Sequence, residues 1–441
     1  MPTGKHALGL WQGVALYVGA VLGTGMLVLP SVAAETAGPA SLLAWLVLVA
    51  LSFPMALTYA ALSRERPDAA GFSGAIERAF GPRWGAVAGW LFLAQAPTGT
   101  VIAALIAGEY AASLTGGGRE VRFALGAGLV ALAYALNLAG LQVSARAQLL
   151  SVAAITAGML LIVTRALGRL DPTAFFPFAP HGAAAIGLAA VQLFWAFVGW
   201  EAITPLAADF RNPKDISRAS LLAAVVVGVL YVSLALATVG TRAYGPALGA
   251  EIPLVPMAAG TFGPAAALVA GVSGFALSFA PVNAYTAGMG RLITALARRR
   301  QLPGWLGIMP ASGTPRRALG VLGTLCAIAA ATAYVAGWGI TDLLPLSTSS
   351  FIATYVLSMA AAVRLLRPPL RYAAAASLAA CTLVLVFVGP LLVWIAGIAA
   401  CALAYSGVRS WKSVPERRVL VRSTVYADEI KIGGIAEEEG L

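Results

Sequence analysis

The sequence predicts an all-α membrane protein with twelve transmembrane helices. Of its 441 residues, 60% are hydrophobic and only 11% are charged, which is more apolar side chain than a water-soluble core can bury. Apolar runs long enough to cross about 30 Å of hydrocarbon, which takes about 20 helical residues, occur twelve times. The distribution of positive charge along the chain agrees with that count.

The twelve spans are the apolar runs between the polar loops. They lie near 9–34, 40–63, 84–113, 121–140, 144–167, 184–207, 217–240, 262–292, 317–337, 341–363, 372–389 and 390–408. The last two are separated only by a tight turn at Gly389-Pro390. The first run is longer than the apolar core of about 7–15 residues in a signal peptide, so we expect it to be retained as a helix.

Positive charge places both termini in the cytoplasm. With the N-terminus inside, five of the 29 Lys and Arg residues lie in outer loops, namely Arg119, Arg122, Arg165, Arg169 and Arg242. Cytoplasmic loops of membrane proteins carry an excess of Lys and Arg. The net charge of +11 is therefore a topology signal, with membrane lipid as a second partner and no need for nucleic acid. We expect a multi-pass protein of the cell membrane with cytoplasmic segments 1–8 and 409–441.

The reactive residue types argue against a metal site or a disulfide framework. Cys326, Cys381 and Cys401 all lie in apolar runs and are interpreted as small hydrophobic residues. The two histidines, His6 and His181, are too few for a histidine-based metal site. We therefore expect neither a metal nor a cofactor.

Span 1 contains a predicted break. The stretch "VLGTGMLVLP" (21–30) places Gly23, Gly25 and Pro30 inside an apolar helix. Unpaired backbone groups are costly in hydrocarbon, so an unwound turn persists only against protein or a cavity. Two other interpretations exist: Gly19 and Gly23 could form a small-residue packing face, or the stretch could be a phosphate loop, which would require a following Lys.

Span 6 contains features expected of a second break. Inverted repeats of five helices, 9–167 and 184–363, would place the counterpart of span 1 in span 6, leaving 372–408 as two additional helices. Span 6 has Gly199 in its middle, followed two residues later by Glu201. An ionisable side chain near the membrane middle is expensive and is a functional candidate by default. Two such breaks favour a binding site over simple helix packing.

Several motifs resemble those of the amino acid–polyamine–organocation (APC) transporter superfamily. They are "LGTGMLVLP" in span 1, "FWAFVGWEAI…DFRNPKDISRA" in span 6, "NLAG" (137–140) and "GRLITALARRRQLPGW" (290–305). The narrower motifs "GWLFL" (89–93), with Pro97 nearby, and "PVNAYTAGMGRL" (281–292) resemble bacterial methionine and branched-chain amino acid exporters. The resemblance covers about residues 8–365. It implies a five-plus-five inverted repeat of the LeuT type, with helices 1 and 6 broken, and amino acid transport.

The resemblance also implies that backbone groups at the breaks bind a zwitterion. The N–H groups of Thr24, Gly25 and Met26, at the positive end of a half-helix, would receive the substrate carboxylate. The substrate ammonium would be received by the carbonyl groups of Val21, Leu22, Phe197 and Val198.

Side-chain candidates for the substrate pocket come from spans 3, 6, 8 and 10. Pro97 and Thr98 represent span 3, and Trp195 is either a gating aromatic or an interfacial packing residue. Asn283 either lines the pocket or bonds a neighbouring backbone, and the hydroxyls of 345–350 either line the pocket or bond their own helix. Because no charged residue is evident for the substrate side chain, we expect a neutral, apolar amino acid.

Glu201 is the candidate for proton coupling. Loss of hydration favours the neutral form of a carboxyl group, although Glu201 could equally be a structural hydrogen-bonding residue. Some related transporters move protons with a Lys in helix 5, but span 5 has only Arg146 at its entrance. Glu109, near the outer end of span 3, is expected to face an aqueous vestibule.

Two other function classes are alternatives to a carrier. A channel or substrate sensor could use the same fold. An intramembrane serine protease is suggested by "GFSG" (71–74) and "GVSG" (271–274), but no histidine follows His181 to serve as general base. The sequence therefore favours a transporter over an enzyme.

Overall fold

The chain is helical throughout the part that the structure describes. This computed structural model describes residues 8–65, 71–140, 145–201, 210–245, 252–310 and 313–410. The α-helices of these segments are α1 (Leu10–Val21), α2 (Leu29–Ala37), α3 (Ser41–Glu65), α4 (Gly71–Phe80), α5 (Pro82–Thr115), α6 (Arg119–Leu138), α7 (Ala145–Leu167), α8 (Ala183–Leu193), α9 (Pro213–Gly240), α10 (Leu254–Phe262), α11 (Pro264–Arg298), α12 (Arg316–Ala336), α13 (Ile340–Leu365), α14 (Leu370–Val386) and α15 (Leu392–Ser410).

Eight helical segments of the described ranges are long and apolar enough to cross a membrane. They are Leu29–Arg64, Pro82–Thr115, Arg119–Leu138, Pro213–Gly240, Pro264–Arg298, Arg316–Ala336, Ile340–Leu365 and Gly389–Gly407. The shorter apolar helices are Leu10–Val21, Thr156–Leu167, Ala183–Phe197 and Leu370–Val386. The chain is therefore a multi-pass membrane protein, and the exact number of twelve spans stays a prediction. Two of the short helices belong to the spans predicted to be broken.

The predicted spans overlap observed helices, except that residues 202–207 of span 6 lie outside the described ranges, and the start of span 8 differs from its prediction. There α10 ends and α11 begins within two residues, because Gly263 adopts a φ of +86° and Pro264 opens the next helix. A glycine with positive φ commonly ends a helix, and proline is favoured at the first position of a new one. The predicted start at residue 262 therefore joins two separate elements.

Span 1 is interrupted as predicted. Helix α1 ends at Val21, a buried 3₁₀ turn covers Thr24–Leu27, and α2 begins at Leu29. Pro30 lies in the first turn of α2, where its missing N–H costs no hydrogen bond. A methyl group on Gly19 or Gly23 would meet no described atom within 4 Å. No helix among the described residues therefore packs closely on these two glycines, as the packing-face interpretation would require.

Aromatic rings pack around the two breaks. The rings of Trp45, from α3, and Tyr231, from α9, lie 5.1 Å apart between centroids. Phe197, from span 6, contacts both, at 6.0 and 5.4 Å. All three side chains are buried, so they fix α3 and α9 against the interrupted helix.

Helices α5 and α6 cross unusually closely. A methyl group on Gly108 would lie 2.1 Å from the backbone oxygen of Arg122, and one on Gly126 would lie 2.0 Å from that of Ala104. Small residues allow such backbone approach between membrane helices. Arg122 also forms a 2.8 Å ion pair with Glu109. Glu109 is thus part of this helix contact, which differs from the expectation that it faces a vestibule.

Replacing Gly126 by Ala should destabilise the folded protein by about 1–3 kcal/mol, because the added methyl forces two backbones apart. The matched control is Gly128→Ala on the same helix, where the methyl would meet no described atom within 4 Å. That control should be neutral or slightly stabilising, since Ala favours helix more than Gly. Thermal melting in detergent, followed by size-exclusion chromatography, measures both. Equal melting midpoints for the two variants would contradict close packing here.

Candidate functional site

The break of span 1 and the non-helical residues 198–201 of span 6 touch each other. Gly199 adopts a φ of +132°, and a methyl group there would lie 2.7 Å from the backbone oxygen of Ala20. Glycine is the residue that combines such a φ with so close a backbone approach. The unwound part of span 6 therefore lies directly on the last turn of α1.

A tyrosine hydroxyl joins the two breaks. The Oη of Tyr231, from α9, lies 2.9 Å from the carbonyl oxygen of Val21 and 3.0 Å from that of Ala196, and it shares its single proton between them. The Val21 carbonyl also accepts the N–H of Gly23, at 2.8 Å. This corrects the expectation that the Val21 carbonyl is free for a substrate ammonium. An unwound carbonyl in the membrane interior must be paired, and Tyr231 is near enough to do so.

A second tyrosine anchors the break of span 1 from the other side. The hydroxyl of Tyr110, from α5, donates to the carbonyl of Leu27 at 2.8 Å. Its ring fits against Gly274 of α11, where a methyl group would lie 2.1 Å away. Gly271 of the same "GVSG" stretch packs against Leu114. The glycines of this protease-like motif therefore serve the packing of α11 against α5.

Glu201 folds back onto the break of span 6. Its Oε2 accepts the N–H of Gly199 at 3.0 Å and the hydroxyl proton of Tyr355, from α13. The Tyr355 hydroxyl also lies 3.3 Å from the Gly199 nitrogen. Glu201 is 7% exposed. These contacts give it the structural role considered from the sequence, and its role in coupling stays a prediction.

The turn after α1 reduces the number of backbone N–H groups that are available to the predicted carboxylate site. A 3₁₀ turn uses bonds from residue i to i+3, so the first internal bond from Gly23 ends on the N–H of Met26. The N–H groups of Thr24 and Gly25 come before that bond. Both residues are buried. Two of the three predicted N–H donors thus remain candidates, whereas Met26 is used within the turn.

Trp195 lies between the break of span 1 and helix α5. A methyl group on Gly25 would lie 2.9 Å from its Cδ1, and a methyl group on Gly99 would lie 2.9 Å from its Cη2. The ring packs edge-on against Phe351 of α13, with centroids 5.8 Å apart. The indole is only partly buried. Its central position favours the gating alternative over packing at the membrane interface.

The face of helix α5 that contacts Trp195 is not the one that carries Pro97, the residue predicted from the sequence. Gln95 and Gly99 lie one turn apart on this face, whereas Pro97 lies two residues from each, on the opposite side of the helix. The Thr98 hydroxyl donates to the carbonyl of Gln95 in its own helix, at 3.1 Å. None of these contacts supports the prediction that Pro97 and Thr98 lie in the pocket. The sequence signal that could have identified Gln95 is its polar side chain in the middle of an apolar span.

Asn283 pairs with a neighbouring helix. Its Oδ1 and backbone oxygen lie 2.8 and 3.3 Å from Nδ2 of Asn137, which belongs to the "NLAG" motif of α6. This amide pair braces α6 against α11. The side chain of Asn283 therefore bonds a neighbouring side chain, and not a neighbouring backbone as one alternative had it. Its place in the pocket stays a prediction.

The hydroxyl residues of 345–350 divide between both of their predicted roles. Those of Thr348 and Ser349 bond to carbonyls of their own helix, α13. Ser347 instead donates across to the backbone oxygen of Gln95 at 3.3 Å. Ser347 is therefore the hydroxyl that joins α13 to the site.

The first half of span 1 packs against the segment that follows span 6. Leu8 and Phe210 form a parallel bridge, and the N–H of Arg211 donates to the carbonyl of Leu8 at 2.9 Å. A methyl group on Gly13 would lie 2.6 Å from the ring of Phe210. Residues 202–209 lie outside the described ranges. Span 1 is thus held at its break and at its start.

Comparison with known proteins identifies the family. A family model described as amino acid permease matches residues 8–410. An uncharacterized amino acid permease of Bacillus subtilis, YecA, is 35% identical over 412 residues, which cover 92% of this chain and 96% of that protein. The L-methionine/branched-chain amino acid exporter YjeH of Escherichia coli is 32% identical over 392 residues, covering 87% of this chain and 92% of that protein.

A more distant relative has a related name. The branched-chain amino acid permease BcaP of Bacillus subtilis is 26% identical over 347 residues, which cover 74% of each chain. These relatives are permeases or exporters by name, and the family match extends over nearly all of the chain. The chain therefore belongs to the amino acid permease family of the APC superfamily, and it is a transporter rather than an enzyme.

Proposed function

We propose that the protein is a secondary active transporter for neutral, apolar amino acids of the methionine and branched-chain type. The observation that carries the proposal is the meeting of two interrupted helices, where Gly199 lies against the last turn of α1. Interrupted helices that meet inside a membrane bring backbone donors and acceptors to one place, as a zwitterion requires. The similarity to an exporter of such amino acids supports the substrate class.

The substrate carboxylate would bind the N–H groups of Thr24 and Gly25. The ammonium group would bind the remaining candidate carbonyls, those of Leu22, Phe197 and Val198. In this arrangement the substrate side chain extends along Trp195 toward α5. No Arg or Lys is needed, because the helix start supplies the positive potential.

The surroundings of Trp195 support a neutral substrate. Neighbours of its ring among the described residues include Gly25, Gly99 and Phe351, and Gln95 and Ser347 border the same glycine, Gly99. All five are uncharged. A charged substrate side chain would lose its hydration here without gaining an opposite charge. Arginine and glutamate should therefore be excluded.

Transport would proceed by alternating access as an exporter or exchanger in the inner membrane, with both termini in the cytoplasm. The repeats 9–167 and 184–363 would rock against each other around the breaks. Glu201 would couple this movement to protons. It contacts the break directly, so its protonation would change a hydrogen bond that holds the unwound segment.

Methionine, leucine, isoleucine and valine should compete best for transport, with arginine and glutamate poor by comparison. The reason is the uncharged surroundings of the site. The measurement is counterflow of labelled leucine into proteoliposomes preloaded with unlabelled leucine. A carrier shows saturable uptake stimulated from the inside. Flux without such stimulation would identify a channel, binding without flux a sensor, and a panel led by arginine or glutamate would refute the substrate class.

Replacing Gly25 by Leu should lower substrate affinity at least about tenfold while the protein still inserts and folds. A side chain at this position collides with Trp195 and Leu29, at 2.9 and 3.0 Å from the first added carbon, and fills the carboxylate site. Gly19→Leu is the matched control, because Gly19 is exposed and a methyl there meets no described atom within 4 Å. Substrate-induced thermal stabilisation measures both variants. Normal affinity in the Gly25 variant would exclude this turn from the site.

Replacing Glu201 by Gln should retain substrate binding and flatten the dependence of transport on pH between about pH 5 and 8. The amide oxygen of Gln can still accept the N–H of Gly199, but the group can no longer titrate. Tyr355→Phe is the control, since it removes one hydrogen bond to Glu201 and keeps the carboxyl group. That variant should keep a pH-dependent profile with reduced rate.

Binding and flux measured across pH in both variants test this role of Glu201. A profile of unchanged shape in the Gln variant would remove Glu201 from coupling. Loss of binding together with an unchanged profile would leave the purely structural role.

A further inference from the structure

Gln95 is a buried amide whose side chain has no hydrogen-bond partner among the described residues. It is 1% exposed, and neither its Oε1 nor its Nε2 is bonded. A buried polar group without a partner costs about 1–3 kcal/mol. Such a group needs an explanation, and one explanation is a ligand that completes the bonding.

The backbone of Gln95 is fixed, in contrast to its amide. Its carbonyl accepts the hydroxyl of Thr98 at 3.1 Å and that of Ser347, from α13, at 3.3 Å. The two hydroxyls hold this turn of α5 in place without using the side chain. The amide is thus positioned but chemically unused.

The amide lies at one point with the ring of Trp195. A methyl group on Gly99 would lie 2.9 Å from Cη2 of Trp195, 3.1 Å from Oε1 of Gln95 and 3.4 Å from Oγ of Ser347. All three groups therefore pack closely around Gly99. The amide oxygen of Gln95 thus borders the same glycine as the Cη2 edge of the indole.

The indole sets the distance between Gln95 and the break of span 1. Its Cδ1 edge borders Gly25 and its Cη2 edge borders Gly99, so the two glycines lie at opposite ends of the ring. A substrate held by its carboxylate at Gly25 would extend its side chain along the ring to the other end. Gln95 would then meet the tip of a linear side chain and not the α-substituents.

We propose that Gln95 forms a hydrogen bond with the tip of the substrate side chain, so that among linear neutral amino acids of equal length the transporter prefers those whose side chain carries a hydrogen-bonding heteroatom. This inference rests on the proposed function and refines its substrate class. A thioether, amide or hydroxyl at the tip satisfies one end of the amide, and an all-carbon side chain of equal length leaves both ends unpaired. Sites that bond a substrate group discriminate against analogues that lack it.

Methionine and norleucine are the matched pair of substrates, because they differ by one sulfur in place of one CH₂. Sulfur is a weak acceptor, so wild-type protein should bind methionine about threefold to tenfold more tightly than norleucine. Glutamine, with a stronger acceptor, should also compete measurably. The constants come from competition against counterflow of labelled leucine in proteoliposomes.

Gln95→Met removes the amide and retains the length of the side chain. In this variant the ratio between methionine and norleucine should fall to about one and glutamine should stop competing, whatever the absolute rate of leucine transport. Ser349→Ala is the control, since Ser349 is buried in α13 but bonds its own helix. Its ratio should equal that of the wild type.

The wild-type ratio tests the proposal even if Gln95→Met does not fold. Equal binding of methionine and norleucine by the wild type would overturn the role of Gln95, as would an unchanged ratio in the variant. Failure of every neutral amino acid to compete would instead overturn the proposed function itself.

Discussion

The pairing of unwound backbone inside the membrane is the constraint on which the rest of the structure depends. Hydrocarbon offers no partner to a free N–H or C=O group, so each break needs side chains from neighbouring helices. The hydroxyl of Tyr231 donates to carbonyls at both breaks, and that of Tyr110 donates to the carbonyl of Leu27 at the end of the first break. The N–H of Gly199 donates to the carboxylate of Glu201, which also accepts the hydroxyl of Tyr355. The helices that bear these residues are therefore fixed around the interruptions.

Hydrogen bonding of the unwound backbone distinguishes groups that hold the fold together from groups that are proposed to bind the substrate. Carbonyls that already accept a hydroxyl, such as those of Val21 and Ala196, hold the fold together. The N–H groups of Thr24 and Gly25 precede the first bond of their turn and are left for a substrate carboxylate in the proposed function. Close packing serves this division, because Gly199 and Gly25 allow a backbone and an indole ring to approach.

Around the breaks, contacts between other helices provide a rigid frame. Helices α5 and α6 cross at Gly108 and Gly126, and α6 is braced to α11 by the amides of Asn137 and Asn283. Helix α5 thus carries three kinds of contact: a close helix crossing, the Tyr110 anchor, and the Gln95 face toward Trp195. In the proposed function, side chains held by such contacts would keep a defined geometry toward the substrate.

Sequence alone determined that the chain is a helical membrane protein, that span 1 is broken near Gly23, and that the chain resembles amino acid transporters. Composition, apolar run length and glycine position are local properties, and they are readable without tertiary contacts. It also identified Glu201 as unusual, because a charge near a mid-membrane glycine is conspicuous, and the family resemblance pointed to Trp195. The family match then agreed with the resemblance.

Only the tertiary structure decided which groups pair across helices. Tyr231 and Tyr110 look like ordinary residues of apolar spans, and their bonds to Val21 and Leu27 depend on the packing of α9 and α5 against span 1. The sequence likewise pointed to Pro97, whereas the helix turns Gln95 toward Trp195. Such pairings join residues far apart in the chain, and their geometry follows from helix rotation and crossing, which no local pattern encodes.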